Sequence, residues 1–265
     1  MARKPHKYAL YELSVQSPDF HAEWFVDIYK GIRGRYPRHM REDFCGTFKL
    51  SCEWVKRNKN NTALGVDLDP EPLAYGRRTH LRELSQEQQS RLTIVNDNVL
   101  SITAPKVDVV LACNFSFYIF KDRGTLVRYL RGCLRSLRKD GIAILDLAGG
   151  PGMIEPMRER KKLNSPETGR FTYSWHQKSF DPITHDAQYA IHFDFPDGKK
   201  MHDAFTYDWR LWTLPEVRDA MIEAGFSKAK VYWETEHKGE GTGEYIASEH
   251  GDNAYAWVAY VVGLK

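Results

Sequence analysis

The chain has 265 residues, 42% of them apolar and 28% charged, and carries a net charge of +3. That is enough apolar material for one α/β core with an added layer. No apolar run approaches the length that crosses a bilayer, and so small a charge does not by itself imply nucleic acid. Met1 to Lys7 are basic but lack a following apolar block and cleavage site, so no secretory signal is expected. Cys45, Cys52, Cys113 and Cys133 have no paired spacing and form no C-x-x-C metal site. They are expected to be reduced, buried thiols of a cytoplasmic protein.

In chain order, Ser17-Pro18-Asp19 precedes a helical pattern from Phe20 to about Lys30, with Ser17 or Asp19 as its cap. Met40 to Cys45 is the first strand and Phe48 to Arg57 the first crossover helix. Ala63 to Val66 is the second strand and Pro70 to about Leu84 the second helix, followed by a third strand over Leu92 to Val95. Val107 to Cys113 is an apolar run apart from Asp108, as expected of a strand buried on both faces of a parallel sheet. Thr125 to Leu137 is a helix, Gly141 a turn, and Ile142 to Leu147 the fifth strand. This alternation predicts a doubly wound sheet.

After Gly149-Gly150-Pro151-Gly152 the pattern changes. Phe171 to Phe180, Gln188 to Phe195 and Met201 to Trp212 alternate apolar and polar residues, with turns at Asp181-Pro182 and Pro196 to Lys199. An antiparallel meander inserted before the last helix is expected. Pro215 to Ala224 is that helix, ended by Gly225. Lys228 to Trp233 and Ala256 to Val262 close the sheet, and the polar stretch Glu236 to Asn253 between them reads as a mobile loop. The regions are thus an N-terminal helical cap (1–37), a cofactor-binding half (38–150), the insertion as substrate wall (151–212) and the closing elements (213–265).

The chemistry concentrates at Arg41-Glu42-Asp43-Phe44-Cys45-Gly46-Thr47. A short strand breaking into a small-residue turn, then a helix, then a second strand closed by Asp67, is a nucleotide-binding βαβ unit. A dinucleotide needs G-x-G-x-x-G, so that pyrophosphate can lie against bare backbone. Here one glycine stands where three are wanted, two Phe crowd the turn, and Glu42 and Asp43 would repel phosphate. Missing glycines disfavour an NAD-dependent oxidoreductase. S-adenosylmethionine, which has a ribose and a cationic amino-acid end but no phosphate, fits better.

Glu42 to Asp69, with Val95-Asn96-Asp97 and Val107 to Phe120, resembles the seven-strand class I S-adenosylmethionine-dependent methyltransferases over roughly residues 38–148. Arg-Glu-Asp-Phe-Cys-Gly-Thr, Gly-Val-Asp-Leu-Asp-Pro-Glu-Pro-Leu and Phe-Thr-Tyr-Asp-Trp-Arg-Leu-Trp-Thr-Leu-Pro-Glu are similar to an uncharacterised branch of them. The glycine-poor first motif departs from the pattern.

Asp67, at a strand end, is expected to accept both ribose hydroxyls, with Asp69 free to cap the next helix. The resemblance implies that Asp97 accepts from the adenine amino group while Asn98 offers its N–H. It also puts Cys45, Gly46, Thr47, Leu68, Asn114 and Phe115 against the cofactor. Glu42, ahead of Asp43, would hold the ammonium group, its competing use being an ion pair with Arg41. Asn114, Ser116 and Tyr118 follow the fourth strand, where open α/β sheets bind ligands. Asn114, Tyr118 and Tyr207 are the catalytic candidates. Tyr8, Tyr11 and Tyr29 could cover the cofactor or belong to helix cores. His176, His192 and His202 are further bases, each equally an ordinary strand residue. Trp175, His176, Trp209 and Arg210 form the candidate substrate wall, where aromatic faces suit a cationic amine and Arg210 could clamp a carboxylate. Alternation puts Tyr207 and Trp209 on one face and Arg210 and Trp212 on the other.

These readings predict methyl transfer to a small polar molecule, nitrogen slightly ahead of oxygen. RNA or protein methylation would call for a concentrated basic strip, which the sequence lacks. A catalytically silent S-adenosylmethionine-binding module is the other alternative. No residue pattern requires a metal, a membrane or a defined oligomer.

Overall fold

The computed structural model describes residues 5–237 and 240–265. Its centre is an eight-stranded sheet in the order β11-β10-β12-β5-β4-β1-β2-β3. The parallel strands are β1 (His39–Asp43), β2 (Thr62–Asp67), β3 (Leu92–Asn96), β4 (Val107–Ala112) and β5 (Leu137–Gly149). Strands β10 (Lys228–His237), β11 (Glu240–Ser248) and β12 (Trp257–Leu264) extend the sheet antiparallel beyond β5. A second sheet runs β6 (Met157–Ser165), β7 (Gly169–Phe180), β8 (Asp186–Asp194) and β9 (Lys200–Arg210), all antiparallel. The expected mostly parallel α/β sheet with an inserted meander is therefore present, with eight strands where seven are expected.

Helices α2 (Pro18–Arg33), α3 (Lys49–Arg57), α6 (Arg123–Ser136) and α7 (Leu214–Ala224) cover the two faces of the large sheet. Strand alternation sorts the core between them. Val109 and Leu111 of β4 join Phe25, Tyr29 and Trp54, while Val110 and Ala112 join Leu126, Leu130 and Met221. Helix boundaries follow local chemistry. Ser17 takes the N-cap position of α2 without a side-chain bond, and Thr213 and Glu216 form a capping box on α7.

Five expectations need correcting. Gly141 is not a turn, because β5 runs unbroken from Leu137 to Gly149. Glu236 to Asn253 is not a loop, because Glu240–Ser248 pairs with β10 as the outer strand of the sheet; residues 238 and 239 lie outside the described residues. The meander has a fourth strand, β6, whose charged run Arg158 to Lys162 lies on a sheet edge. The second helix stops early, as α4 (Pro70–Arg78), followed by a single 3-10 turn at His80–Glu83 and the short α5 (Gln86–Ser90). An additional helix, α1 (Lys7–Val15), packs Leu10 against Phe171, Ile191 and Phe193 of the meander.

The order β3-β2-β1-β4-β5 reverses between β1 and β4, so a crevice opens outside the carboxyl ends of those strands. Its turn follows an unusual trace. Phe44, Gly46 and Phe48 all have left-handed φ, at 56°, 54° and 49°. The backbone thus takes the alternating left-handed path that glycine favours, with Phe at two of the three positions. Phe48 is fully buried against α4, where the bare Gly76 admits it. A Cβ at Gly76 would come within 2.3 Å of Thr47 O and 2.5 Å of the Phe48 ring. Gly76→Ala is expected to cost roughly 1–3 kcal/mol, as overpacking does, seen as a lowered urea midpoint. An unchanged midpoint would mean that the turn yields freely.

Candidate functional site

Two adjoining cavities lie at the switch point. The crevice over the β1 turn has a volume of about 270 Å³ and is lined by Glu42, Asp43, Asp67 and Asp69. Asp67, at the end of β2, accepts from Gly46 N (2.7 Å) through Oδ2 and from Asp69 N (2.9 Å) through Oδ1. Each oxygen keeps a second lone pair for a ligand. Burial raises its pKa, partly offset by those N–H donors. Asp69 caps α4 by accepting from Glu71 N (2.8 Å).

Glu42 and Asp43 divide their tasks. Arg41 pairs with Asp43, not with Glu42: its Nη2 lies 2.8 Å from Asp43 Oδ2, which Tyr129 OH also reaches at 2.8 Å. The other oxygen, Asp43 Oδ1, is buried with no hydrogen-bond partner among the described residues. Glu42 Oε2 accepts from Ser51 N (2.9 Å) and Ser51 Oγ (2.5 Å). Burial pushes its pKa from the ordinary 4.5 to about 8, despite the Ser51 donors. A raised carboxyl pKa contributes stability that is complete below about 4.5 and lost as pH rises through about 8. Glu42→Gln is therefore expected to remove a slope of up to about 1.4 kcal/mol per pH unit across that window. Urea melts of both forms at several pH values check this, and parallel curves would contradict it.

Helix α1 roofs the turn. Glu12, buried in α1, receives Thr47 Oγ1 at 2.6 Å, lies 2.7 Å from His80 Nε2 and pairs with Lys49 at 3.4 Å. Burial opposes its charge, but these partners outweigh it and its pKa is lowered. Tyr8 and Tyr11 of α1 line the crevice, whereas Tyr29 of α2 is in the core.

The second cavity, of about 500 Å³, is bounded by the meander face bearing Trp175, Tyr207 and Trp209 and by Tyr245 and Tyr260 of the large sheet. Tyr11, Asn114 and Tyr207 line both cavities and mark their junction. Here lies a residue that sequence reasoning missed. Asp146 of β5 is 5% exposed, and its oxygens accept from Asn114 N (2.7 Å) and Phe115 N (2.8 Å). Asn114 and Phe115 have left-handed φ of 59° and 57°. Such φ values are uncommon for Phe, and Asp146 receives both N–H groups of the pair. Burial pushes Asp146 from 3.8 to about 7, against the pull of those two donors. Its one sequence signal was an acid inside the apolar run Ile142 to Leu147.

Of the sequence candidates, Glu42, Cys45, Gly46, Thr47, Asp67, Asn114 and Ser116 line the crevice, and Phe115, Trp175 and Trp209 the chamber. Others are not brought there. Tyr118 is fully buried and its hydroxyl donates to Ala148 O (2.9 Å), which makes it a core residue. Tyr207 is positioned at the junction, but burial pushes its pKa well up, so its phenol keeps its proton. Arg210 lies on the other face of β9, stacked 3.8 Å from the Trp212 ring and bonded to Lys121 O and Glu216. His176 and His192 contact each other at 3.2 Å and His192 meets the His202 ring, all away from the chamber lining. Leu68 is 67% exposed. Asp97 and Asn98 sit beyond β3 outside the crevice lining, Asp97 Oδ1 accepting from Asn98 N (2.6 Å).

No protein-family model matches the chain, and no curated protein matches it. Solved structures do. A sugar N-methyltransferase from a Streptoalloteichus species is 16% identical, with a TM-score of 0.68 over 100% of this chain and 94% of that one. An amino pentose methyltransferase from Micromonospora echinaspora, solved with S-adenosylmethionine, is 13% identical with a TM-score of 0.70 over 99% of each chain. An S-adenosylmethionine-dependent methyltransferase from Clostridium acetobutylicum is 13% identical, TM-score 0.67, over 97% of each chain. At such identities the likeness is one of fold.

Proposed function

We propose that this chain is an S-adenosylmethionine-dependent methyltransferase acting on a small polar molecule, with nitrogen favoured over oxygen as acceptor. One observation carries the reading: Asp43, whose Oδ1 is buried and unpartnered among the described residues, lines the crevice together with Glu42 and Asp67. A buried oxygen without a donor is costly, and a ligand ammonium would relieve it. Asp43, Asp67 and Asp69, with the carboxyl group of Glu42, face one ammonium in that lining, Lys7, which is already paired with Glu71 at 2.9 Å. Such a wall repels pyrophosphate and suits a cationic nucleoside. The fold shared with known methyltransferases supports the same conclusion.

Bound there, S-adenosylmethionine would supply an electrophilic methyl group. Asp67 would accept the ribose hydroxyls through its free lone pairs, and Glu42 and Asp43 would hold the ammonium. Asn114, at the junction of the two cavities, would orient the acceptor, and Tyr11 and Tyr207 would exclude water. Methyl transfer rests on alignment more than on acid–base chemistry, and proximity supplies roughly 7–11 kcal/mol. The four buried, unpaired cysteines favour a reducing, cytoplasmic setting. Among the described residues no helix is long and apolar enough to cross a membrane.

Calorimetric titration tests the cofactor: saturable binding of S-adenosylmethionine is expected, with none for NAD. Binding of NAD alone, or of neither, would overturn the reading. Methyl consumption over a panel of amines, alcohols and carboxylates then separates an enzyme from a silent binding module.

A further inference from the structure

Resting on that reading, we infer that the aromatic chamber beside the crevice is the acceptor site, and that its ligand is a protonated amine on an apolar body, held against Asp146. The chamber presents two carboxylates, Asp146 and Glu234, and no Lys or Arg among the described residues that line it. Its one histidine, His21, is kept neutral: burial lowers its pKa to about 4, and its Nε2 lies 2.9 Å from Tyr260 OH. A ligand carrying phosphate or carboxylate would find no countercharge there. A cation finds carboxylates and ring faces together, since Tyr207 and Trp209 pack with centroids 4.4 Å apart on one wall. Cations bind well over such faces once water is excluded.

Asp146 is the group best placed to receive the charge. It lines the chamber, it adjoins Asn114 at the junction with the crevice, and each of its oxygens has a lone pair left after the backbone bonds. Glu234 already accepts from Gly243 N (2.8 Å) at the sheet edge. The titratable groups around Asp146 are Tyr11 of α1, His21 of α2, Cys113 and Tyr118 after β4, Glu234 of β10, Tyr245 of β11 and Tyr260 of β12. None of them is a cation that would hold it permanently ionised. Its carboxylate can therefore take a proton from the ammonium: the N–H bond breaks, the electron pair stays on nitrogen, and the proton passes to the aspartate oxygen. That leaves the nitrogen nucleophilic, and Asp146 can pass the proton on to water.

Trp175, Trp209 and Trp257 line the chamber, so ligand entry can be followed by tryptophan fluorescence. The probes are cyclohexylamine, cyclohexanol and cyclohexanecarboxylate, titrated into the full chain at pH 7.5. The amine is expected to bind at least about tenfold more tightly than the carboxylate, a difference of about 1.4 kcal/mol. Asp146→Asn is expected to remove most of that preference while cyclohexanol binding stays constant. Asparagine can accept only one of the two backbone N–H groups, so Glu234→Gln is measured alongside, with a smaller loss of amine preference expected. Equal binding of amine and carboxylate by the unaltered protein overturns the inference without any variant. So does an amine preference unmoved by both substitutions. Calorimetry with S-adenosylmethionine keeps the two readings apart. Cofactor binding without amine preference defeats only the acceptor assignment, whereas amine preference without cofactor binding defeats only the methyltransferase reading.

Discussion

Asp67→Ala is expected to lower affinity for S-adenosylmethionine about 10- to 100-fold or more. The substitution deletes an ionised acceptor, and hydrogen bonds to charged groups contribute roughly 1.5–3 kcal/mol each. It also releases Gly46 N and Asp69 N, the two donors that tie the β1 turn to the start of α4. Asp67→Asn separates these effects, because the amide oxygen can still accept one N–H while the charge is gone. Calorimetry on the three proteins is the measurement. Affinity unchanged in Asp67→Ala would remove ribose recognition from this residue, and the cofactor assignment with it.

Arg41→Ala is expected to cost stability more than any other single change considered. Arg41 is wholly buried, and its guanidinium bonds Asp43, Ile102 O (2.9 Å) and Ser136 Oγ (2.5 Å). Burial works against its charge, but Asp43 outweighs that and pushes the Arg41 pKa up. Removing one partner of a buried pair typically costs 3–5 kcal/mol, roughly the effect expected here, because Asp43 would be left buried without its counterion. The loss should appear as a lower urea midpoint and should shrink in acid, where Asp43 protonates. A stability loss below about 1 kcal/mol would show that water or Ser136 replaces the guanidinium.

The strands and helices that shape the crevice were legible because each carries a local signal. Val107 to Cys113 reads as a strand covered on both faces, and the structure covers it on both faces. The elements that were missed lack such a signal. From residue 241 to residue 248 the side chains of β11 are mostly exposed, so pairing with β10 imposes no apolar alternation on them. β6 is an edge strand, a place where charges disfavour pairing with other chains, and charge runs look like loops when read along the chain. The glycine-poor turn is instructive. Counting glycines revealed one left-handed position, whereas the fold imposes three and accommodates Phe48 by leaving Gly76 bare on another helix.

Sequence alone determined the order of elements, the acid at the end of β2 and the position of Asn114 after β4. These depend on periodicity and on spacing within a few tens of residues. Tertiary structure decided which acid does what. Glu42 and Asp43 are neighbours of the same chemical kind, yet Ser51 claims one and Arg41 with Tyr129 the other. Asp146 became a chamber residue only when β5 was laid beside β4 and the turn after β4 turned two N–H groups toward it. Arg210 left the chamber by the alternation of its strand, and Tyr118 by its bond to the β5 backbone. Burial and hydrogen-bond partners come from strands far apart in the chain, and they set a side chain's charge and access in ways that residue type and spacing do not encode.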